Sequence, residues 1–332
     1  MGQILRRQFL IVTGALLGAP LVRAQQAEKV YRVGWVNAIT SVSEVTKGTY
    51  PLTKVLLREL GELGYVEGKN LVLDVVSAEG HQDRYADTVS EVLRRRPDVI
   101  MVSGSQLALI AKKATSVTPI VMIAVAQPVK YGLVASLARP GGNVTGLAAD
   151  ANPETEAKRL QLLKELVPKL SRVSCLATKW IWEGPYGQAV RKAAPALGVE
   201  LLYAEHRPDD LKTTFASITG QHPDALFVVL APEVYGLRQQ IATFALNARL
   251  PAIYPLAEMA EAGGLMSYGW NLPEFYRVTA RYIAKIFKGA KPGELPVQQP
   301  SVFELVVNLK TAKAIGLTIP QSILVRADRV LE

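Results

Sequence analysis

The chain has 332 residues, 49% of them hydrophobic and 20% charged, with a formal net charge of +9. That balance excludes a disordered polar chain, and the length exceeds one typical domain, so two domains are expected. The basic residues are spread along the chain, and the densest group, Arg94-Arg95-Arg96, falls at a predicted helix C-terminus where cations complement the dipole. No basic face with interleaved aromatics is visible, so no nucleic-acid partner is expected.

Residues 1–24 read as an export signal. Arg6 and Arg7 precede an apolar run from Phe9 to about Ala19, and Val22-Arg23-Ala24 supplies a small-residue cleavage site before Gln25. The run is too short for a membrane span. Arg6-Arg7-Gln8-Phe9-Leu10 resembles a twin-arginine signal, although general secretory signals also carry paired arginines. Removing the segment takes away three arginines and leaves 35 basic against 29 acidic side chains, a net +6. The expectation is an exported, periplasmic protein with no membrane span in its mature part. Cys175 is the only cysteine and sits in an apolar strand, so it reads as a buried, inert thiol with no disulfide partner in the chain.

From Val30 onward strands and helices alternate. Strands are predicted at Val30–Asn37, Asn70–Ser77, Asp98–Val102, Pro119–Val125 and Val144–Ala148, and helices at Pro51–Leu63, Asp83–Arg95 and Gln106–Ser116. The strands are short continuous apolar runs, as in a parallel sheet covered on both faces. A second series begins after Asp150. Its helices are Pro153–Leu166 (with Asn152 as N-cap), Pro185–Leu197, Asp209–Thr219 and Val234–Asn247. Its strands are Arg172–Ala177, Val199–Ala204, Ala225–Leu230 and Ala252–Tyr254. The last third, with strands Gly264–Tyr268 and Phe303–Asn308 and helices Pro273–Lys288 and Leu309–Ile315, has too few elements for its own core. It is expected to complete the two lobes by crossing between them. The fold class is therefore α/β: two Rossmann-like doubly wound lobes joined by a multi-strand hinge. Lobe 1 is assigned residues 25–150 and 264–300, and lobe 2 residues 151–263 and 301–332.

Signals of catalysis are weak. His81, His206 and His222 are isolated, no metal-ligand spacing occurs, and there is no Gly-x-Ser-x-Gly, Gly-x-Gly-x-x-Gly or Walker A motif. No catalytic residue, metal or cofactor is expected. The adjacent acids Asp209 and Asp210 read as a helix N-terminus. The informative residues are in loops at the carboxyl ends of the strands, where open α/β sheets bind ligands. In lobe 1 these are Asn37, the turn Ser103-Gly104-Ser105, Gln127 and Pro128; in lobe 2 they are Trp180, Tyr186, Glu233 and Tyr254, with Tyr268 near a crossover. The small-residue turn reads either as a tight βα connection or as an anchor for a polar head, offered by free N–H groups at a helix N-terminus. The aromatics, among them Trp182 and Trp270, read either as interlobe packing or as the walls of a cleft.

The stretches 57–71, 77–100, 112–147, 158–176 and 289–332 resemble the ABC-transporter substrate-binding family related to tryptophan/tyrosine-binding proteins, most specifically in ARPGGNVTG (138–146) and FELVVNLKTAK (303–313). The resemblance implies a type I periplasmic-binding fold with three lobe crossovers, no enzymatic activity, and delivery of a small solute to an inner-membrane permease, by a protein read as a monomer. Where the family has Gly-Asp-Pro-Val, this chain has Ala126-Gln127-Pro128-Val129, and where it often has Asn-Pro, this chain has Lys179-Trp180-Ile181-Trp182. Replacing that aspartate by Gln127 is expected to remove a partner for a ligand ammonium and to favour an aromatic or other organic carboxylate over an amino acid. Two other readings stay open: a ligand-sensing module docking on a membrane receptor, and an exported enzyme on a Rossmann-like scaffold.

Overall fold

The computed structural model describes residues 29–149, 154–207 and 210–332. The export signal and the Asn152 and Pro153 helix start expected above lie outside these residues, as does Asp209.

Five strands build the first sheet: β1 (Tyr31–Asn37), β2 (Leu71–Ser77), β3 (Val99–Ser103), β4 (Ile120–Val125) and β5 (Val144–Ala148). They are all parallel, in the order β2-β1-β3-β4-β5. Their apolar runs are buried on both faces, β3 and β4 almost without exposed residues, as parallel strands under helices require. The helix Pro51–Glu62 starts with proline in its first turn and buries Leu52, Leu56 and Leu60.

The second sheet has seven strands among the described residues. They are β6 (Arg172–Ala177), β7 (Glu200–Glu205), β8 (Ala225–Val228), β9 (Ala252–Tyr254), β10 (Met266–Trp270), β11 (Phe303–Asn308) and β12 (Arg329–Leu331). Their order is β12-β11-β10-β9-β8-β6-β7, parallel except for the β10–β11 pair. The core of this lobe holds Cys175, fully buried, with its thiol pushed well above the usual range by burial.

The doubly wound architecture is as the alternation predicts, but the lobe boundary is not. Residues 264–270 were expected in lobe 1, yet Met266 and Ser267 pair with Ile253 and Tyr254 of β9, which puts β10 in lobe 2. The chain crosses to lobe 1 at Asn271, the N-cap of the helix Leu272–Phe287, which packs on the helix Pro51–Glu62 and under β4. Residues 293–298 then lie beside β5, bonded through Thr145 Oγ1 to the Leu295 carbonyl (2.7 Å) and Gln298 N–H to the Gly146 carbonyl (3.0 Å). The chain returns to lobe 2 at β11. Asn271 ties two crossings together, donating from Nδ2 to Glu304 of β11 at 3.1 Å while its Oδ1 caps Glu274 N–H. Segments of backbone at several points of a hinge leave two rigid bodies free to rotate against each other.

Candidate functional site

In a sheet that winds outward from its first strand in both directions, the helices after the two central strands go to opposite faces, leaving a crevice between their loops. In lobe 1 those strands are β1 and β3; in lobe 2 they are β6 and β8. The two crevices face each other across a cavity of about 110 Å³, room for one small solute. Its walls come from the ends of those four strands, with additions from neighbouring segments.

The lobe 1 wall combines small polar groups and main chain at the strand ends with Ile39, Ile123 and the rings of Tyr50, Tyr85 and Tyr276. Asn37 is buried and its Oδ1 accepts from the N–H groups of Ile39 and Thr40, both at 2.9 Å, which folds the loop after β1 tightly back. Ser103, Gly104 and Ser105 line the cavity where β3 passes into the helix Ser105–Ala114. Gly104 has φ +83° and ψ 158°, a region open in practice only to glycine, and a Cβ there would stand 3.1 Å from Cγ of Pro232 in the opposite lobe. Ser105 Oγ accepts from Ala126 N–H at 3.0 Å. Behind the turn, Tyr50 and Tyr276 line the cavity together. Burial pushes the Tyr50 phenol up to about 12 and Tyr276 well above its ordinary value, so both stay neutral hydroxyls.

The lobe 2 wall is aromatic. Thr178 caps a five-residue helix, Lys179–Glu183, that was expected to be loop. Two positions along a helix turn a side chain by roughly 200°, so Trp180 and Trp182 part company. Trp180 faces the cavity and stacks on Tyr131 of lobe 1 at 5.7 Å, whereas Trp182 stacks on Tyr203 at 4.9 Å inside lobe 2. Gly187 allows the next helix to pack against this one, since a Cβ there would lie 2.1 Å from the Trp182 carbonyl oxygen. Tyr186, Tyr235 and Trp270 add further aromatic surface. Glu233 lines the same cavity, only 4% exposed, and accepts hydrogen bonds from two lobe 1 side chains: Gln82 Nε2 at 3.0 Å and the Tyr85 hydroxyl.

Of the residues expected at the site, Asn37, Ser103, Gly104, Ser105, Trp180, Tyr186 and Glu233 are brought together around the cavity; Gln127, Pro128, Tyr254 and Tyr268 are not. A bulge in β4 explains the first pair. The register with β5 shifts between Met122 and Val125, and Ala124 takes φ +55°, so Ile123 and Ala124 form the wall and the chain turns away beyond it. The Gln127 carbonyl accepts from Tyr131 N–H and that of Pro128 from Leu133 N–H, closing the turn that follows. Gln127 is thus not among the residues that line the cavity. Tyr254 is fully buried in the core, with a Cβ at Gly264 blocked at 2.6 Å by its ring. Tyr268 stacks on Phe303 within the sheet.

The cavity also takes residues that the strand-end rule does not reach. Tyr50 opens a helix, Gln82 and Tyr85 follow β2, and Trp270, Leu272 and Tyr276 belong to the second crossover. The sequence signal for Tyr85 was its place in an amphipathic helix, which reads equally as core. No group of three or more His, Cys, Asp or Glu placed to hold a metal occurs among the described residues. His206 is buried with both ring nitrogens unpartnered, and burial lowers its pKa to about 4.

Residues 42–331 match the profile of a family described as ABC transporter substrate binding protein. A tyrosine-binding protein of Clostridioides difficile (strain R20291) is 24% identical over 266 residues, which is 80% of this chain and 76% of that one. Among solved structures, a conserved domain protein from Vibrio cholerae superposes with a TM-score of 0.80 at 26% identity, covering 91% of this chain and all of that one. A Streptococcus pneumoniae ABC domain in complex with L-Trp gives 0.78 at 24% identity over the same shares. The matched family is one of substrate-binding proteins, not of enzymes. A profile match over nearly the whole described chain, on two lobes that meet around a small cavity, establishes that the chain belongs to the ABC transporter substrate-binding protein family.

Proposed function

We propose that the protein captures a small aromatic solute, an aromatic amino acid or a related organic acid, between its lobes, and that the closed form delivers it to an inner-membrane ABC permease. The observation that carries this reading is the cavity at the facing crevices, with the small polar turn Ser103–Ser105 on the lobe 1 side and aromatic side chains from both lobes around it. Free N–H groups at the start of the helix Ser105–Ala114 and the hydroxyls of Ser103 and Ser105 would hold a polar or anionic head. Trp180, Tyr186 and Tyr235 would enclose a flat body. The tyrosine-binding relative and the L-Trp complex support the same ligand class. Closure follows from binding when the ligand touches both walls, because only contacts made in the closed form shift the equilibrium.

Residues 1–24 are read as a cleaved export signal, giving a periplasmic monomer; no described helix is long and apolar enough to cross a membrane. Calorimetric titration with L-tyrosine, L-tryptophan, L-phenylalanine and their deaminated acids tests the ligand class. Micromolar binding of at least one is expected, and binding of none removes the reading. Mass spectrometry of the protein recovered from the periplasm, beginning at Gln25, tests the location.

A further inference from the structure

Contacts between the lobes flank the cavity on both sides, and they differ in kind. On the β2 side, Gln82 and Tyr85 of lobe 1 meet Glu233 of lobe 2 through hydrogen bonds. On the β4 side the contact is aromatic: the ring of Tyr131 lies on that of Trp180, with centroids 5.7 Å apart and planes inclined by 27°. Trp180 borders the cavity and is also 38% exposed, so it stands at the rim rather than in the depth. Tyr131 is half-buried and does not line the cavity; it touches Trp180 from outside. Its hydroxyl reaches along the helix Lys179–Glu183 to Gly184, where a Cβ would lie 3.4 Å from it. The loop that carries Tyr131 is braced within lobe 1. Tyr131 N–H donates to the Gln127 carbonyl at 3.1 Å, Lys112 Nζ donates to the Gly132 and Leu133 carbonyls at 2.6 and 2.9 Å, and Leu133 and Val134 are buried. Trp180 in turn rides on a helix capped by Thr178 of lobe 2. Each ring is therefore fixed to its own lobe, and the stack exists only while the lobes are together.

We propose that Tyr131 and Trp180 form a latch across the mouth of the cavity, in which Tyr131 is a positioning residue that acts through Trp180 and sets how long a captured solute is held. This rests on the aromatic-solute reading above and adds to it a residue outside the cavity. Opening the lobes has to part the two rings, so the stack raises the barrier to release. Capture begins from parted lobes, where the contact is not yet made, and its rate does not depend on the pair. Because Tyr131 does not border the solute, it slows the release of every solute by the same factor. Trp180, which does border it, enters both retention and selectivity. The turn at Gln127 thereby gains a role through its main chain, holding Tyr131 at the rim.

Surface plasmon resonance on the captured protein, with L-tyrosine, L-tryptophan and L-phenylalanine as probes, separates the two rates, and calorimetry gives the affinities. Tyr131→Ala is expected to raise the dissociation rate about tenfold, by the same factor for each probe that binds. Its association rate should stay within about twofold of the unmodified protein. Tyr131→Phe keeps the ring and is expected to release at the original rate. In a Trp180→Ala background the partner is gone, and Tyr131→Ala should change affinity by less than about twofold. An unaltered dissociation rate in Tyr131→Ala overturns the latch while the aromatic-solute reading stands. So does release from Tyr131→Phe as fast as from Tyr131→Ala, or an undiminished effect without Trp180. A lowered melting temperature with an unaltered dissociation rate makes Tyr131 a prop of its own loop and overturns the latch as well. If none of the three probes binds the unmodified protein, the aromatic-solute reading falls and the latch with it. Should Tyr131→Ala fail to fold, Tyr131→Leu, which keeps apolar bulk without a ring, carries the same expectations.

Discussion

The two walls of the cleft are made by different means. Lobe 1 sets shaped backbone beside its tyrosines: the loop bound by Asn37, a glycine in a conformation few other residues adopt, and a bulged strand at Ala124. Lobe 2 presents side chains: Trp180, Tyr186, Tyr235 and the carboxylate of Glu233. Backbone geometry is fixed by the fold and tolerates little change, whereas side chains can be exchanged one at a time without disturbing the sheet.

The sharpest test of that contrast is Trp180→Ala. It removes a cavity wall and the stack on Tyr131, and affinity for the solute should fall by about a hundredfold. Because Trp180 is 38% exposed, the melting temperature should barely move, and a large loss of stability would break the contrast.

Lobe 2 also holds groups whose protonation differs between folded and unfolded chains. Glu258 is raised from 4.5 to about 7, first by burial and then by Glu261 and Glu304, against the lowering effect of its own backbone and Arg238. Its folded form holds the proton longer, so the stability it contributes is full below about 4.5 and is lost as pH rises to about 7. His206 is lowered from 6.5 to about 4, so its contribution is full above 6.5 and is lost as pH falls to about 4. The two slopes oppose each other across the shared window. Glu258→Gln should leave a stability that rises from pH 4 to 6.5, and His206→Gln one that falls from 4.5 to 7, each spanning on the order of 3 kcal/mol in urea melts. Parallel curves for the two variants would sink the assignment.

Gly104→Ala probes the other wall. Its φ of +83° and the 3.1 Å approach to Pro232 should cost about 1–2 kcal/mol of stability and about tenfold in affinity, read by thermal melting and calorimetry. Ser103→Ala, which spares the backbone, should cost less than either. The smallest effect is expected from Tyr254→Phe. That hydroxyl is buried without a hydrogen-bond partner, so its loss should change stability by less than about 0.5 kcal/mol and leave ligand affinity unaltered. A tenfold loss of affinity would return Tyr254 to the site.

The unequal legibility of the two walls has the same physical root. Ser103-Gly104-Ser105 was readable because a small-residue turn between an apolar strand and a helix has few other conformations, and its place in the sheet follows from strand order. Tyr254 and Tyr186 offered no such cue. An aromatic at a strand end can point into a core or across a cleft, and only the packing of Gly264 against one ring decides for Tyr254. Trp180 and Trp182 needed the short helix Lys179–Glu183 to be seen before their opposite faces could be inferred. Tyr85 and Gln82 were invisible as site residues because their partner is about 150 positions away on the other lobe. The lobe boundary slipped because strand β10 is defined by its pairing with β9 and β11, which no local pattern reports.

The helix Leu272–Phe287, which leaves lobe 2 to pack on the helix Pro51–Glu62 of lobe 1, has a consequence for the order in which the molecule can be made. During synthesis the first five strands emerge early, yet the layer that covers one face of their sheet is the helix encoded near the end, with Tyr282 and residues 293–298 closing the edge at β5. Lobe 1 must wait, with apolar surface uncovered, until almost all of lobe 2 has been translated. The amino-terminal lobe is thus the one that stands incomplete over the longest stretch of synthesis, open to a chaperone or a protease, although lobe 2 is closed last, by β11 and β12.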